Sequence, residues 1–116
     1  MPHISLQTTS DVVENQDIVD ILERLVRKLE TFETVKPHTI KAYHSLYPTW
    51  LIGSGGPNGF VHCEVAILSG RPIELKKAIA DGMHAELLEC FHATRDSGEA
   101  GITLEIREMD AEIYRK

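Results

Sequence analysis

The stretch Phe60-Val-His-Cys-Glu-Val-Ala-Ile-Leu-Ser-Gly-Arg-Pro72 decides the fold. Val61, Cys63, Val65 and Ile67 recur every second residue, so Phe60–Leu68 reads as a strand with one apolar side. Ser69-Gly70-Arg71 is a tight connection. Pro72 then suits the first position of a helix, where its missing N–H is not needed. A strand that turns at once into a helix is the opening of a β-α-β unit.

Toward the C-terminus, Leu75, Ile79, Met83, Leu87 and Phe91 form a stripe at helical spacing, predicting a helix over Pro72–Phe91. Gly82 inside it weakens the helix locally. Asp96–Gly101 reads as a loop. Ile102, Leu104 and Ile106 then alternate with Thr103, Glu105 and Arg107 as a strand, and a polar tail, Met109–Lys116, carries one aromatic, Tyr114.

Toward the N-terminus, Gly53-Ser-Gly-Gly-Pro-Asn-Gly59 is almost all turn-forming or helix-breaking residues and reads as a loop. A short extended piece, Thr49–Ile52, precedes it. Pro48 ends a strand over Thr39–Tyr47, with Ile40, Ala42, His44 and Leu46 on one side. Ile18, Ile21, Leu22, Leu25, Leu29 and Phe32 predict an amphipathic helix over Asp17–Phe32, capped by Asn15 or Asp17 after a polar turn at Thr9–Gln16. His3–Thr8 alternates polar and apolar residues as a first strand. The order is two β-α-β halves divided by the glycine-rich loop, an α+β domain with a four-stranded mixed sheet and two helices on one face. The other face would show Tyr43, Tyr47, Phe60, His62 and Leu68, too much apolar surface to leave wet. Another copy of the chain is its simplest cover, so a homo-oligomer is expected.

At 116 residues the chain fits one domain over its whole length, and 42% hydrophobic with 26% charged residues is ordinary globular composition. Its longest aliphatic run, Val65–Leu68, is far too short to span a membrane. Eighteen acidic against twelve basic residues, net −6, argue against nucleic acid as partner. Two cysteines are too few for a disulfide scaffold, and no signal-peptide pattern opens the chain, so a cytoplasmic location is expected.

Four features could carry chemistry. Met1-Pro2-His3 stands directly before a strand. Initiator methionine is normally removed before a residue as small as proline, which would leave Pro2 with a free secondary amine. Desolvation and nearby cations favour its neutral form, a competent general base near pH 7 that can return the proton as an acid. Met-Pro also opens many chains by chance. Gly70-Arg71-Pro72 puts a forked cation at a strand-to-helix junction, suited to a carboxylate. If the third strand runs antiparallel to the first, Arg71 comes near Pro2. A surface arginine pairing with Glu74 fits the same residues. Lys41 is a cation opposite Ile40 that could be solvated surface, and Tyr43 and Trp50 read equally as packing residues. The six histidines give no zinc-like spacing with the cysteines, so no metal is expected. The glycine-rich loop lacks a following Gly-Lys-Ser/Thr and is no phosphate cradle.

With Met1-Pro2-His3, Thr49-Trp50, Phe60-Val61-His62, Gly70-Arg71 before a long helix, and Leu104-Glu105-Ile106 in this order and spacing, the chain resembles the 5-carboxymethyl-2-hydroxymuconate isomerase branch of the tautomerase superfamily. The resemblance covers nearly the whole chain. It implies a trimer of β-α-β-β-α-β subunits with the sheets facing inward. It also implies a cofactor-free isomerase whose Pro2 moves a proton between carbon and oxygen of an unsaturated 2-hydroxy or 2-oxo acid. Arg71 matches the family's Gly-Arg and would bind or polarise a small carboxylate substrate, with Lys41, Tyr43 and Trp50 as further substrate contacts. Lys41 stands where the muconate isomerases carry arginine, and Tyr43 where a second arginine can occur. Lysine keeps the charge but loses the two-pronged grip, which points to a smaller keto acid. The alternative from another class is a non-catalytic oligomeric module that binds small anions on the same fold.

Overall fold

In a computed structural model that describes residues 1–55 and 58–116, the chain forms β1 (His3–Thr9), α1 (Ile18–Glu30), β2 (Lys41–Tyr47), β3 (Phe60–Leu68), α2 (Ile73–Cys90), α3 (His92–Ser97) and β4 (Gly101–Met109). Short 3-10 turns occupy Val13–Asp17 and Pro37–Thr39. The expected loop at 53–59 lies partly outside the described residues, at 56–57; residues 53–55 are turn.

The sheet order is β2-β1-β3-β4. β1 and β2 are parallel with His3 opposite Lys41, and β3 and β4 are parallel with Phe60 opposite Gly101. The two halves join through the central antiparallel pair, in which His3 lies opposite Ala66. The start of β1 therefore adjoins the end of β3, the relationship on which the proximity of Arg71 to Pro2 depended.

One sheet face is the core. Ile4, Leu6, Val61, Cys63, Val65 and Ile67 meet Ile21, Leu25 and Leu29 of α1 and Ile79, Met83 and Leu87 of α2, all 4% exposed or less. The polar face of α1 meets water, as its charge pattern requires. Gly82 has a packing reason: a Cβ there would lie 2.9 Å from Phe32 Cζ, so its absence lets the Phe32 ring sit against α2.

Three boundaries differ from the sequence reading. β2 begins at Lys41 because Pro37–Thr39 closes a 3-10 turn, Thr39 N–H donating to the Lys36 carbonyl. The long second helix ends at Phe91 (φ −108°, ψ 39°), a fully buried ring, where the sequence reading also ended it. The chain restarts at once as α3, however, whose residues 92–95 the sequence reading gave no element and whose last two it placed in the loop. β4 runs to Met109 because Ser69 N–H donates to the Met109 carbonyl, extending the ladder past the end of β3.

The face without helices is less apolar than expected. Tyr47 and Phe60 pack at 6.3 Å between ring centroids. Beside them, however, His62 bonds Thr103 at 2.7 Å and Arg107 donates to Glu64 at 2.9 Å. His3, Ser5 and Gln7 share this side, since they alternate with buried Ile4, Leu6 and Thr8. No helix among the described residues is long and apolar enough to cross a membrane.

Candidate active site

The site is built at the end of the sheet where β1 and β2 begin and β3 ends. Pro2 is buried, and its carbonyl accepts the Lys41 N–H at 3.0 Å, extending the β1–β2 ladder one residue before the strand. Its nitrogen here belongs to the Met1–Pro2 peptide bond, and the Met1 amine stands one residue ahead. Burial holds that amine below the usual α-amino range, and the charges of Lys116, Arg71, Lys41 and Lys36 lower it further. In a chain of net charge −6, these four basic side chains bear on one point, the chain start.

Arg71 reaches this place from the β3–α2 connection. Gly70, at φ +114°, supplies the reversal that an ordinary residue resists. The guanidinium is held by its own fold rather than by Glu74: Nε donates to the Thr34 hydroxyl at 2.8 Å, Nη2 to the Thr34 carbonyl at 3.2 Å and Nη1 to the Leu68 carbonyl at 3.1 Å. These neutral acceptors orient the fork without cancelling its charge. Among the described residues no ion pair involves Arg71 or Lys41.

Lys41 and Tyr43 lie on the face without helices, and the Tyr43 hydroxyl is 3.4 Å from His3 Nδ1. Trp50 is elsewhere. It follows the far end of β2, and its Nε1 donates to the Asn58 carbonyl at 3.1 Å. At about 3.3 Å per strand residue, the length of β2 puts it on the order of 20 Å from Pro2 within one protomer. The structure thus gathers Pro2, Arg71, Lys41 and Tyr43 and leaves Trp50 at the opposite end.

Four residues at the site carried no role in the sequence reading. His3 lies between two phenols, with Nε2 3.2 Å from the Tyr114 hydroxyl and Nδ1 facing Tyr43. Its charged form is disfavoured by burial, then by Lys41, the chain-start amine and Arg107. Lys36 and Lys116 complete the basic set. A lone aromatic in an otherwise polar tail was the available signal for Tyr114; nothing in the spacing marks the two lysines. Among the described residues no three His, Cys, Asp or Glu side chains converge as a metal site. Cys63 and Cys90 are buried in the core, which pushes their thiols up to about 12 and about 11.

The family model of 5-carboxymethyl-2-hydroxymuconate isomerase matches residues 2–116. The chain belongs to the 5-carboxymethyl-2-hydroxymuconate isomerase family. Among solved structures, the family member from Deinococcus radiodurans R1 is 28% identical, with a TM-score of 0.85 over 99% of this chain and 87% of that one. A 5-carboxymethyl-2-hydroxymuconate delta-isomerase superposes at a TM-score of 0.89, with 15% identity over 100% of this chain and 87% of that one, and shows the shared fold. A fused 4-OT symmetric trimer has the same fold at a TM-score of 0.72 and 14% identity, over 95% and 88% of the two chains. No curated relative matches the chain. Family membership makes this a tautomerase-superfamily isomerase, with the tautomerase α+β fold that its sheet order displays.

Proposed function

We propose that this family member is a cofactor-independent tautomerase of unsaturated 2-hydroxy or 2-oxo carboxylic acids, with Pro2 as acid and base once Met1 is removed. The observation that carries this reading is the group of cations around the chain start, Arg71 and Lys41 among them, next to a buried proline. Such a field lowers the affinity of an amine for its proton and raises that of the site for a carboxylate.

In the reaction, the neutral Pro2 nitrogen takes the proton of the substrate's enol hydroxyl, leaving a dienolate. The resulting cation then delivers that proton to carbon, and the enol oxygen becomes a carbonyl. No electrons are exchanged. Arg71, pre-oriented by Thr34 and Leu68, holds the carboxylate or the developing oxyanion, an interaction worth roughly 1.5–3 kcal/mol and more where water is excluded. Lys41 is a second anion contact and Tyr43 borders it. Trp50 enters this reading only from a neighbouring copy, in a homotrimer of the kind the fused 4-OT proteins form. A cytoplasmic location belongs to the same reading.

Intact mass of the native protein should lack Met1. Ketonisation of phenylenolpyruvate or 2-hydroxymuconate should fall roughly 10²–10⁴-fold in Pro2→Ala, the usual span of general acid–base catalysis. Equal rates in wild type, Pro2→Ala and Arg71→Ala, or fully active protein with a blocked first residue, would refute the reading and leave an anion-binding module.

A further inference from the structure

The C-terminal turn is fastened to the candidate site at two points. Near its root, Ala111 N–H donates to the Ser69 hydroxyl at 3.0 Å, in the same connection that carries Arg71. The Ile113 and Tyr114 N–H groups then both donate to the Asp110 carbonyl, and the Asp110 carboxylate accepts the Glu112 N–H at 2.9 Å, curling the segment back. At its tip, the Tyr114 hydroxyl meets His3 Nε2 at 3.2 Å, with the rings edge-to-face at 6.4 Å and 78°. Tyr43 faces the other side of His3, at 6.1 Å and 74°. A neutral imidazole donates from one nitrogen and accepts at the other, so His3 can satisfy one phenol as donor and one as acceptor. The result links β2, β1 and the C-terminal turn beside Pro2.

We propose that the Tyr114–His3 contact makes the C-terminal turn a specificity element, placing Lys116 where it receives the second carboxylate of a dicarboxylate ligand whose first carboxylate sits on Arg71. Tyr114 is a positioning residue in this arrangement, and Lys116 the binding one. Lys116 is two residues beyond Tyr114, and Tyr114 touches the residue after Pro2, so an extended dipeptide and a lysine side chain span the remaining interval. Of the cations acting on the chain-start amine, Lys116 acts most strongly. Lys41 supplies charge at this end without a guanidinium fork, so a longer ligand gains from a further cation at the chain start besides Arg71. This inference rests on the anion site of the proposed function and is independent of proton transfer by Pro2.

The test is calorimetric titration of the full-length protein with trans,trans-muconate and with sorbate, the same six-carbon diene with one carboxylate fewer. Wild type should prefer muconate. Lys116→Gln should weaken muconate about tenfold, the loss of one charge-assisted contact, and change sorbate by less than about twofold. Tyr114→Phe, which keeps the ring, should weaken muconate in the same direction and spare sorbate. Equal weakening of both probes, no effect of either variant, or a wild type that binds both equally or neither would overturn the proposal. If Pro2→Ala retains the muconate preference without losing turnover, the acid–base reading fails and this one stands.

Discussion

Arg71 and Thr34 are tied together twice, Nε to the hydroxyl at 2.8 Å and Nη2 to the carbonyl at 3.2 Å. The loop after α1 thereby aims a guanidinium carried by the β3–α2 connection. Orientation and charge can be separated by mutation. Thr34→Val removes the hydroxyl acceptor and keeps the charge, so kcat/KM should fall only about three- to tenfold, the worth of one modest hydrogen bond. Arg71→Ala removes the anion partner itself and should cost at least about 10²-fold. Arg71→Lys should fall between them, because an ammonium cannot use both Thr34 acceptors and the ligand in fork geometry. Steady-state rates for the four proteins, with thermal unfolding as a control, decide the order.

The cationic surroundings of the chain start fix the direction of the pH profile. An amine held low by burial and by Lys116, Arg71, Lys41 and Lys36 sheds its proton at lower pH than a free one. If Pro2 is the base, kcat/KM should rise with pH along a limb whose midpoint lies below that of a free secondary amine. Lys41→Ala or Lys116→Ala should move the midpoint upward, since each removes a like charge. A rate that is flat from pH 5 to 9, or a midpoint unmoved by both substitutions, contradicts the assignment.

Local periodicity made the sheet and both long helices legible. Val61, Cys63, Val65 and Ile67 could alternate only in a strand, and Ile21, Leu25 and Leu29 only along a helix. The end of α2 at Phe91 was legible as the last residue of its apolar stripe, but the restart as α3 was not. Six residues are too few to show a period, and the buried Phe91 and Thr94 that seat α3 depend on tertiary packing that no spacing encodes. The same distinction holds at the site. Pro2 and Arg71 could be placed together once β1 and β3 were taken as antiparallel. Trp50 sits on a segment whose position depends on where β2 ends, and within one chain it falls at the far end. His3 and Tyr114 are 111 residues apart, and their contact is tertiary.

Stability should fall on mild acidification. His44 Nε2 is 2.8 Å from Thr8 Oγ1, whose single proton goes to Asn15 Oδ1 at 2.6 Å, so the ring nitrogen donates. Burial lowers the pKa of His44, and burial with neighbouring cations lowers that of His3. A histidine with a lowered folded pKa binds its proton more readily in the unfolded chain. Its contribution is therefore neutral above the unfolded value of 6.5 and becomes unfavourable as pH drops below it, until the folded pKa is passed. Urea midpoints should decline between pH 7 and 5, and His44→Gln should shrink that decline while lowering the midpoint at pH 7. An identical decline in the variant would remove His44 as a cause.

Glu14 is buried with 7% exposure, and both carboxylate oxygens are used: Oε2 accepts the Thr94 N–H at 3.1 Å and Oε1 the Thr94 hydroxyl at 2.6 Å. This carboxylate sits at the start of α3, where unpaired N–H groups favour negative charge, and it fastens α3 to the 3-10 turn after β1. Glu14→Ala would strand two buried donors and should cost about 2–3 kcal/mol in urea unfolding. Thr94→Val should cost less, because the backbone donor keeps its acceptor. In the double variant the two losses should fall short of additive, since they share one interaction. The 3-10 turn follows the end of β1 farthest from Pro2, so kcat/KM of the folded fraction should stay within about twofold of wild type. A Glu14→Ala protein of normal stability, or one whose activity fails while its stability holds, would contradict a purely structural role for this pair.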